Sequence, residues 1–333
     1  LMKTLLQTTP IVLTALCVAA SAVTAADMKA KIPELRDQAK LFLGVIPEKM
    51  PGSEADTPAR IQLGEKLYFE KKLSKNNTQS CNTCHAVDHG LGGVDNEPTS
   101  DGAFGEKGDR NSPTTLNAGF HFSQFWDGRA EDLQEQAKGP ILNPVEMAMP
   151  DEAAVMKKLN AIPEHVSLFK KAFPAAAEPM TYDNLAEAIA AFERTLITRD
   201  RFDDFQNGDD SALTARELQG LDLFLNTGCL TCHMGPVLGG NTYQRVGLIH
   251  PYDTEDKGRF VVTENEDDLK KFKVPSLRNI ALTHPYFHNG KQEDLKETVK
   301  LMAYMQLDQK ISDEDADALV AFLKSLTDKP RVK

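Results

Sequence analysis

Cysteine is scarce in this chain of 333 residues: there are five, and four of them fall in two copies of one pentapeptide, which leaves none to build a disulfide framework. Tryptophan occurs once, at Trp126. Basic residues are outnumbered, with 38 Lys and Arg against 49 Asp and Glu and a net charge of −11. That balance argues against nucleic acid or an anionic membrane surface as partner and suits a basic protein partner. No apolar run reaches the roughly 20 residues that a membrane-crossing helix needs. Strand patterns are at best short, so the expected fold is mainly helical with long irregular loops.

The start of the chain has Lys3, an apolar stretch from about Ile11 to Val23 and the small residues Thr24-Ala25-Ala26. These read as a secretory signal, residues 1–26, removed on export. Cys17 would leave with it. Lys3 is the only charged residue in that segment, so removal takes the net charge from −11 to −12.

The repeated pentapeptide is Cys-x-x-Cys-His: Cys81, Cys84, His85, and again Cys229, Cys232, His233. It is the attachment pattern of c-type haem, in which the two thiols become thioethers and the adjoining imidazole ligates the iron. Zinc-finger spacing would set the histidine well downstream of the second cysteine rather than beside it. Two covalently bound c-type haems are therefore expected. Haem of this type is attached outside the cytoplasmic membrane, which agrees with the signal and implies a bacterial periplasmic protein.

The surroundings of the two motifs also repeat. Gly64-Glu65-Lys66-Leu67-Tyr68-Phe69 precedes the first and Gly220-Leu221-Asp222-Leu223-Phe224-Leu225 the second, each inside a helix-period apolar pattern. Thr214 with Glu217 forms a capping box for the later helix, and Pro58 lies near the start of the earlier one. Downstream, Phe125 to Leu133 matches Phe287 to Leu295 at six of nine positions in residue or charge class, and Pro113-Thr114-Thr115-Leu116 echoes Pro275-Ser276-Leu277. The pattern predicts two c-type cytochrome domains related by internal duplication, 27–200 and 201–333, each with a helix before its motif and another after the Asp-Gly or Asn-Gly turn. Further helices are expected over Asp183 to Arg199 and after Ser312.

A c-type iron with its motif histidine has one coordination position left, and what fills it decides between electron transfer and chemistry on a small molecule. For the second haem the nearest methionines are Met302, Met305 and Met234. Met234 is too close to His233 to reach the opposite face. Met302 and Met305 lie about one helical turn apart, and residue type alone leaves ligand and core packing equally open.

These motifs, together with Leu91-Gly92-Gly93, Arg110-Asn111-Ser112-Pro113-Thr114, Gln124 to Arg129, Gln136-Ala137-Lys138-Gly139-Pro140, Asn143-Pro144-Val145-Glu146-Met147, Leu277-Arg278-Asn279 and Pro285-Tyr286-Phe287-His288, resemble the bacterial di-haem cytochrome c peroxidases over nearly the whole chain after residue 26. The resemblance implies a periplasmic enzyme, often a homodimer, that reduces hydrogen peroxide to water with electrons from a small cytochrome c or a cupredoxin. It implies that the His85 haem is the peroxide site, and that the His233 haem, with Met302 as sixth ligand, receives electrons. It makes Glu146 and Gln136 the distal acid-base and orienting residues and Trp126 the tryptophan between the haems, a residue that would otherwise read as an ordinary buried aromatic. It also assigns Asn111, Thr283 and Pro285 to a calcium ion; Asn111 would otherwise read only as a turn residue.

One position departs from the family pattern. Many members carry a histidine in the loop before Arg110 that caps the peroxide-site iron in the oxidised enzyme, and here Ala103 stands in its place. Alanine has no ligating atom. His89, His121 and Met147 are the available substitutes; otherwise the iron is open or water-bound, which is the reading preferred here. A non-catalytic di-haem electron-transfer cytochrome is the alternative function, and a protein-modifying di-haem oxidase is a further rival, disfavoured because that relative has tyrosine where Met302 stands.

Overall fold

The computed structural model describes residues 24–87 and 90–331. Most of the expected signal segment, with Cys17, lies outside the described residues, and so does His89. The fold is mainly helical, as the patterns predict. Among the described residues the only sheet is a two-stranded antiparallel ribbon, β1 (Tyr243–Arg245) with β2 (Lys271–Lys273).

The helices begin where side chains cap them. At the start of the described chain are α1 (Ala25–Ala30) and α2 (Ile32–Leu43). The next, α3 (Pro58–Tyr68), starts with Thr57 accepting the Arg60 N–H and Pro58 in the first turn. A single turn, α4 (Cys81–Cys84), carries the first motif. Asp132 caps α5 (Leu133–Leu142), the helix expected after the Asp127-Gly128 turn, and α6 (Glu152–Asn160) and α7 (Pro163–Ala172) follow. Thr181 caps α8 (Tyr182–Glu193). The apolar period suggested that α8 continues to Arg199, but the chain leaves the helix after Glu193. There the Leu196 carbonyl is taken by the Asn117 N–H and the Thr198 N–H by Asn117 Oδ1, both at 2.9 Å, so the backbone is recruited to a neighbouring loop.

In the second half, Asp200 caps α9 (Arg201–Gln206), and the expected Thr214–Glu217 box opens α10 (Ala215–Asn226). After the short α11 (Phe260–Thr263) come α12 (Leu295–Leu307), capped by Asp294, and α13 (Asp313–Ser325), capped by Ser312.

Two apolar cores result. The first is built by α3, α5, α6, α7 and α8, with Leu63, Leu67, Leu159, Phe169 and Leu185 fully buried. The second is built by α9, α10 and α13, with Phe202, Leu221 and Phe322 at its centre, and it also takes in Met28, Leu35 and Leu43 of α1 and α2. The linear division at residue 200 therefore needs correcting for the N-terminal helices. They supply an apolar stripe that the first core, already closed by α7, does not use.

The duplication is exact enough to see in two helix crossings. A Cβ placed on Gly64 of α3 would lie 1.8 Å from the Ala188 carbonyl oxygen of α8, and one placed on Gly220 of α10 would lie 1.9 Å from the Ala318 carbonyl oxygen of α13. Only glycine permits this approach. The two halves are also joined by polar groups: Asn117 and Asn279, both in the left-handed region, donate to the same Thr198 hydroxyl.

Arg278 is the largest fully buried side chain. Its guanidinium meets Asp200 at 2.6 Å and Asp203 at 2.8 Å and donates to the Pro236 carbonyl. Removing it strands two buried carboxylates, a change that typically costs about 3–5 kcal/mol. Arg278→Met is expected to lower the urea midpoint by that free energy with the slope of the transition unchanged.

Candidate haem sites and active centre

Each motif is presented on one turn of chain. Cys81 and Cys84 sit three residues apart on α4, whose start is closed by a Ser80–Thr83 capping box, and Cys229 opens a 3₁₀ turn, Cys229–Thr231. The four thiols are unpaired, and burial pushes all of them up, Cys84 to about 11.

The two histidines share one geometry. His85 Nδ1 donates to the Pro113 carbonyl at 2.9 Å and His233 Nδ1 to the Leu238 carbonyl at 3.0 Å. A carbonyl partner fixes the proton on Nδ1 and leaves Nε2 as the free donor atom, the arrangement found behind metal-bound imidazoles. Burial lowers the pKa of both rings, which keeps them neutral, the ligating form. Among the described residues no group of three or more His, Cys, Asp or Glu is disposed to hold a metal ion by itself.

The second site opens onto a cavity of about 240 Å³ with a mostly apolar wall. Its lining brings His233, Cys229 and Cys232 together with Met302. Met305 is buried outside the lining and Met234 is exposed on the surface. By position, Met302 lines the cavity and Met305 is buried away from it. A flat apolar macrocycle fits such a space.

Trp126 lines the same cavity. Its Nε1 donates to the Asn111 carbonyl at 2.8 Å and its ring stands edge-on to His288, with centroids 6.4 Å apart. Asn111, Thr283 and Pro285 also line this wall. Asn111 Nδ2 donates to the Glu97 carbonyl at 2.9 Å, which turns Oδ1 the other way.

In the duplication α5 and the turn after it answer to α12 of the second half. The register that pairs Phe125 with Phe287 and Leu133 with Leu295 pairs Met302 with Pro140, which cannot ligate. The same register pairs Gln136 with Thr298, a residue that lines the second cavity. Glu146 accepts from Asn143 Nδ2 at 2.7 Å. Burial raises its pKa above 4.5, against the lowering effects of Asn143 and Arg129. Its charge reaches the Cys84 thiol, which places it beside the first motif.

Ala103 is buried and its N–H donates to the Glu146 carbonyl at 2.7 Å. A Cβ on neighbouring Gly102 would lie 2.2 Å from the Val145 carbonyl oxygen. The loop thus lies directly on the Val145-Glu146 segment and presents a methyl group there. Of the three substitute ligands, Met147 is buried in the first core, against which Cys81 also packs, and His121 lines the second cavity beside Lys273.

Sequence reasoning missed Glu193. It is buried on α8, its pKa is pushed up to about 8 by burial, and its charge is felt by Tyr68 and Cys81. A lone carboxylate directly after the apolar run Ala188 to Phe192 was the available signal. Tyr68 was missed as well; its hydroxyl donates to the His85 carbonyl at 2.7 Å and lies 3.2 Å from Thr115 Oγ1.

Comparison with known proteins follows the two halves. The model of the di-haem cytochrome c peroxidase family matches residues 58–211 and that of cytochrome c matches residues 218–327. Cytochrome c551 peroxidase of Pseudomonas aeruginosa is 47% identical over 313 residues, covering 91% of this chain and 90% of that protein. The protein of the same name from Nitrosomonas europaea is 45% identical over 276 residues, covering 82% and 81%. The crystal structure of a MauG-like protein associated with microbial copper homeostasis superposes with a TM-score of 0.76 at 27% identity, covering 86% of this chain and 95% of that one.

The contrast between Met302 and Met305 is open to test. In the haem-loaded protein, Met302→Ala is expected to convert one low-spin centre to high spin in the visible spectrum. Met305→Ala is expected to leave the spectrum unchanged and to cost about 2–5 kcal/mol in a denaturant titration, as a buried methionine does.

Proposed function

The chain belongs to the di-haem cytochrome c peroxidases, and from that premise we propose that its two sites have different duties: the His85 site receives peroxide, and the His233 site, closed by Met302, receives electrons. The enzyme reduces hydrogen peroxide with a cytochrome as reductant. The observation that carries the division of labour is the pairing of Met302 with Pro140 by the duplication, together with Ala103 on the loop that contacts Glu146. One half offers its haem a thioether and the other offers none.

Cys81, Cys84 and His85 hold one haem and Cys229, Cys232, His233 and Met302 the other. When bound, the irons supply the redox chemistry, in which one peroxide takes up two electrons and two protons and yields two waters. The protein's part is to place the substrate and move the protons. Glu146, as carboxylate, takes the proton from the nearer peroxide oxygen and returns it to the farther one, which departs as water; solvent supplies the two protons with which the nearer oxygen becomes the second water. Its raised pKa suits a group that must both take and give a proton. Asn143 keeps the carboxylate in place through Oε1. Gln136, one face along α5, donates a hydrogen bond that orients the peroxide. The Pro113 carbonyl and the Tyr68 hydroxyl fix His85 from behind. Trp126, held by the Asn111 carbonyl, supplies an indole for electronic coupling between the two sites.

The reductant is a small cytochrome c or a cupredoxin, and the acidic surface suits a basic donor. Residues 1–26 act as an export signal and the enzyme works in the periplasm as a homodimer. No helix of the described residues is long and apolar enough to cross a membrane. One calcium ion binds Asn111 Oδ1 and the carbonyls of Thr283 and Pro285, neutral oxygens that suit a hard cation.

Steady-state oxidation of reduced cytochrome c tests the reading: oxidation that requires peroxide supports it, and its absence with every donor refutes it. Glu146→Gln is expected to lower kcat by about 10²–10⁴-fold with both haems retained. Because the base form is needed, kcat/KM should fall as pH drops through a value above 4.5, and this acid limb should vanish in the variant. Ala103→His is expected to convert the first centre to low spin when oxidised and to impose a lag that prior reduction removes, whereas the parent enzyme turns over without one.

A further inference from the structure

Lys273 is buried, 5% exposed, on β2 at the wall of the second cavity. Among the described residues no carboxylate lies within salt-bridge reach of its ammonium. Its one side-chain hydrogen bond goes to a neutral acceptor, Nδ1 of His121 at 2.9 Å. Nε2 of that ring is buried without a hydrogen-bond partner beside Gly240, so the histidine is committed to presenting Nδ1. The Lys273 backbone is fixed too, its N–H donating to the Trp126 carbonyl at 2.7 Å.

A lysine has three N–H donors, and burying its charge without an anion is expensive. The desolvation shows in the pKa, lowered to about 7 by burial. Surface lysines need no such explanation, but a lysine buried in a mostly apolar cavity wall, with a neutral histidine as its one side-chain partner and no carboxylate in reach, is a built half-site for an anion. The cavity is the one that takes the second haem, and haem carries two carboxylates.

We propose that Lys273, positioned by His121, binds a carboxylate of the haem attached at Cys229 and Cys232, and that its charge raises the reduction potential of that haem. A cation near the iron disfavours the oxidised, more positive form, and second-sphere charge and hydrogen bonding are among the means by which a protein sets haem potential. The proposal rests on the assignment of two haems. A haem count per chain checks that assignment separately, so failure of one is not mistaken for failure of the other.

The test is a potentiometric titration of the holoprotein, with the second haem followed at its methionine–iron charge-transfer band. At the potential where the parent protein is half reduced, Lys273→Gln is expected to raise the oxidised-to-reduced ratio of that haem about tenfold, with a smaller change at the first haem. Lys273→Arg, which keeps the charge, is expected to stay near the parent ratio. Unchanged potentials in Lys273→Gln, or a shift confined to the first haem, would overturn the proposal. If Lys273→Gln does not load the second haem, loading restored in Lys273→Arg supports the proposal, and equal loss in both variants refutes it.

Discussion

Twice in this protein two helices cross so closely that only glycine fits, where α3 crosses α8 at Gly64 and α10 crosses α13 at Gly220. At either crossing a single methyl group would collide with a carbonyl oxygen. This approach fixes the separation of the helix pair, and so the place where the preceding helix ends and its haem motif begins. Residue Tyr68 ends α3 over His85, and its counterpart in α10, Phe224, packs within 6.5 Å of the His233 ring. Both proximal histidines are then tied to a backbone carbonyl. Everything specific to one site is built on a frame the two share.

Against that frame the differences are polar on one side and apolar on the other. Tyr68 stands where the second half has Phe224. Glu193, five residues beyond the Ala188 contact, stands where the second half has Leu323, five beyond Ala318. Pro140 stands where the second half has Met302. At these matching positions the first half therefore has a hydroxyl and a carboxylate, and the second has hydrocarbon and a thioether. Few replacements on a doubled frame suffice to make its two sites chemically unlike.

Much of this was legible in the residues because covalent and capping chemistry is local. Cys-x-x-Cys-His, the Thr214–Glu217 box, Pro58 and the Ser312 cap each act within one turn of chain, and the repeated Phe125 and Phe287 blocks announce the doubling. What was not legible depends on distant partners. The Leu196 and Thr198 backbone groups that end α8 are claimed by Asn117, which is nearly 80 positions away. The choice between Met302 and Met305 turns on how α12 rolls against the cavity. Lys273 reads as an ordinary strand lysine until the fold sets it against His121, which is 152 residues earlier.

The assignment of α1 and α2 to the second core has a consequence for how the molecule comes into being. Residues 28–43 are made near the beginning, but α9 and α10, the helices they pack against, are made much later: Gln206 donates to the Ala39 carbonyl, 167 residues back, and Lys31 meets Asp222, 191 residues on. A nascent chain thus carries an amphipathic pair with nothing to bury it until α10 has emerged. Contacts of such long sequence separation form late. The opening segment is accordingly a latch, seated only once the second core has begun to assemble.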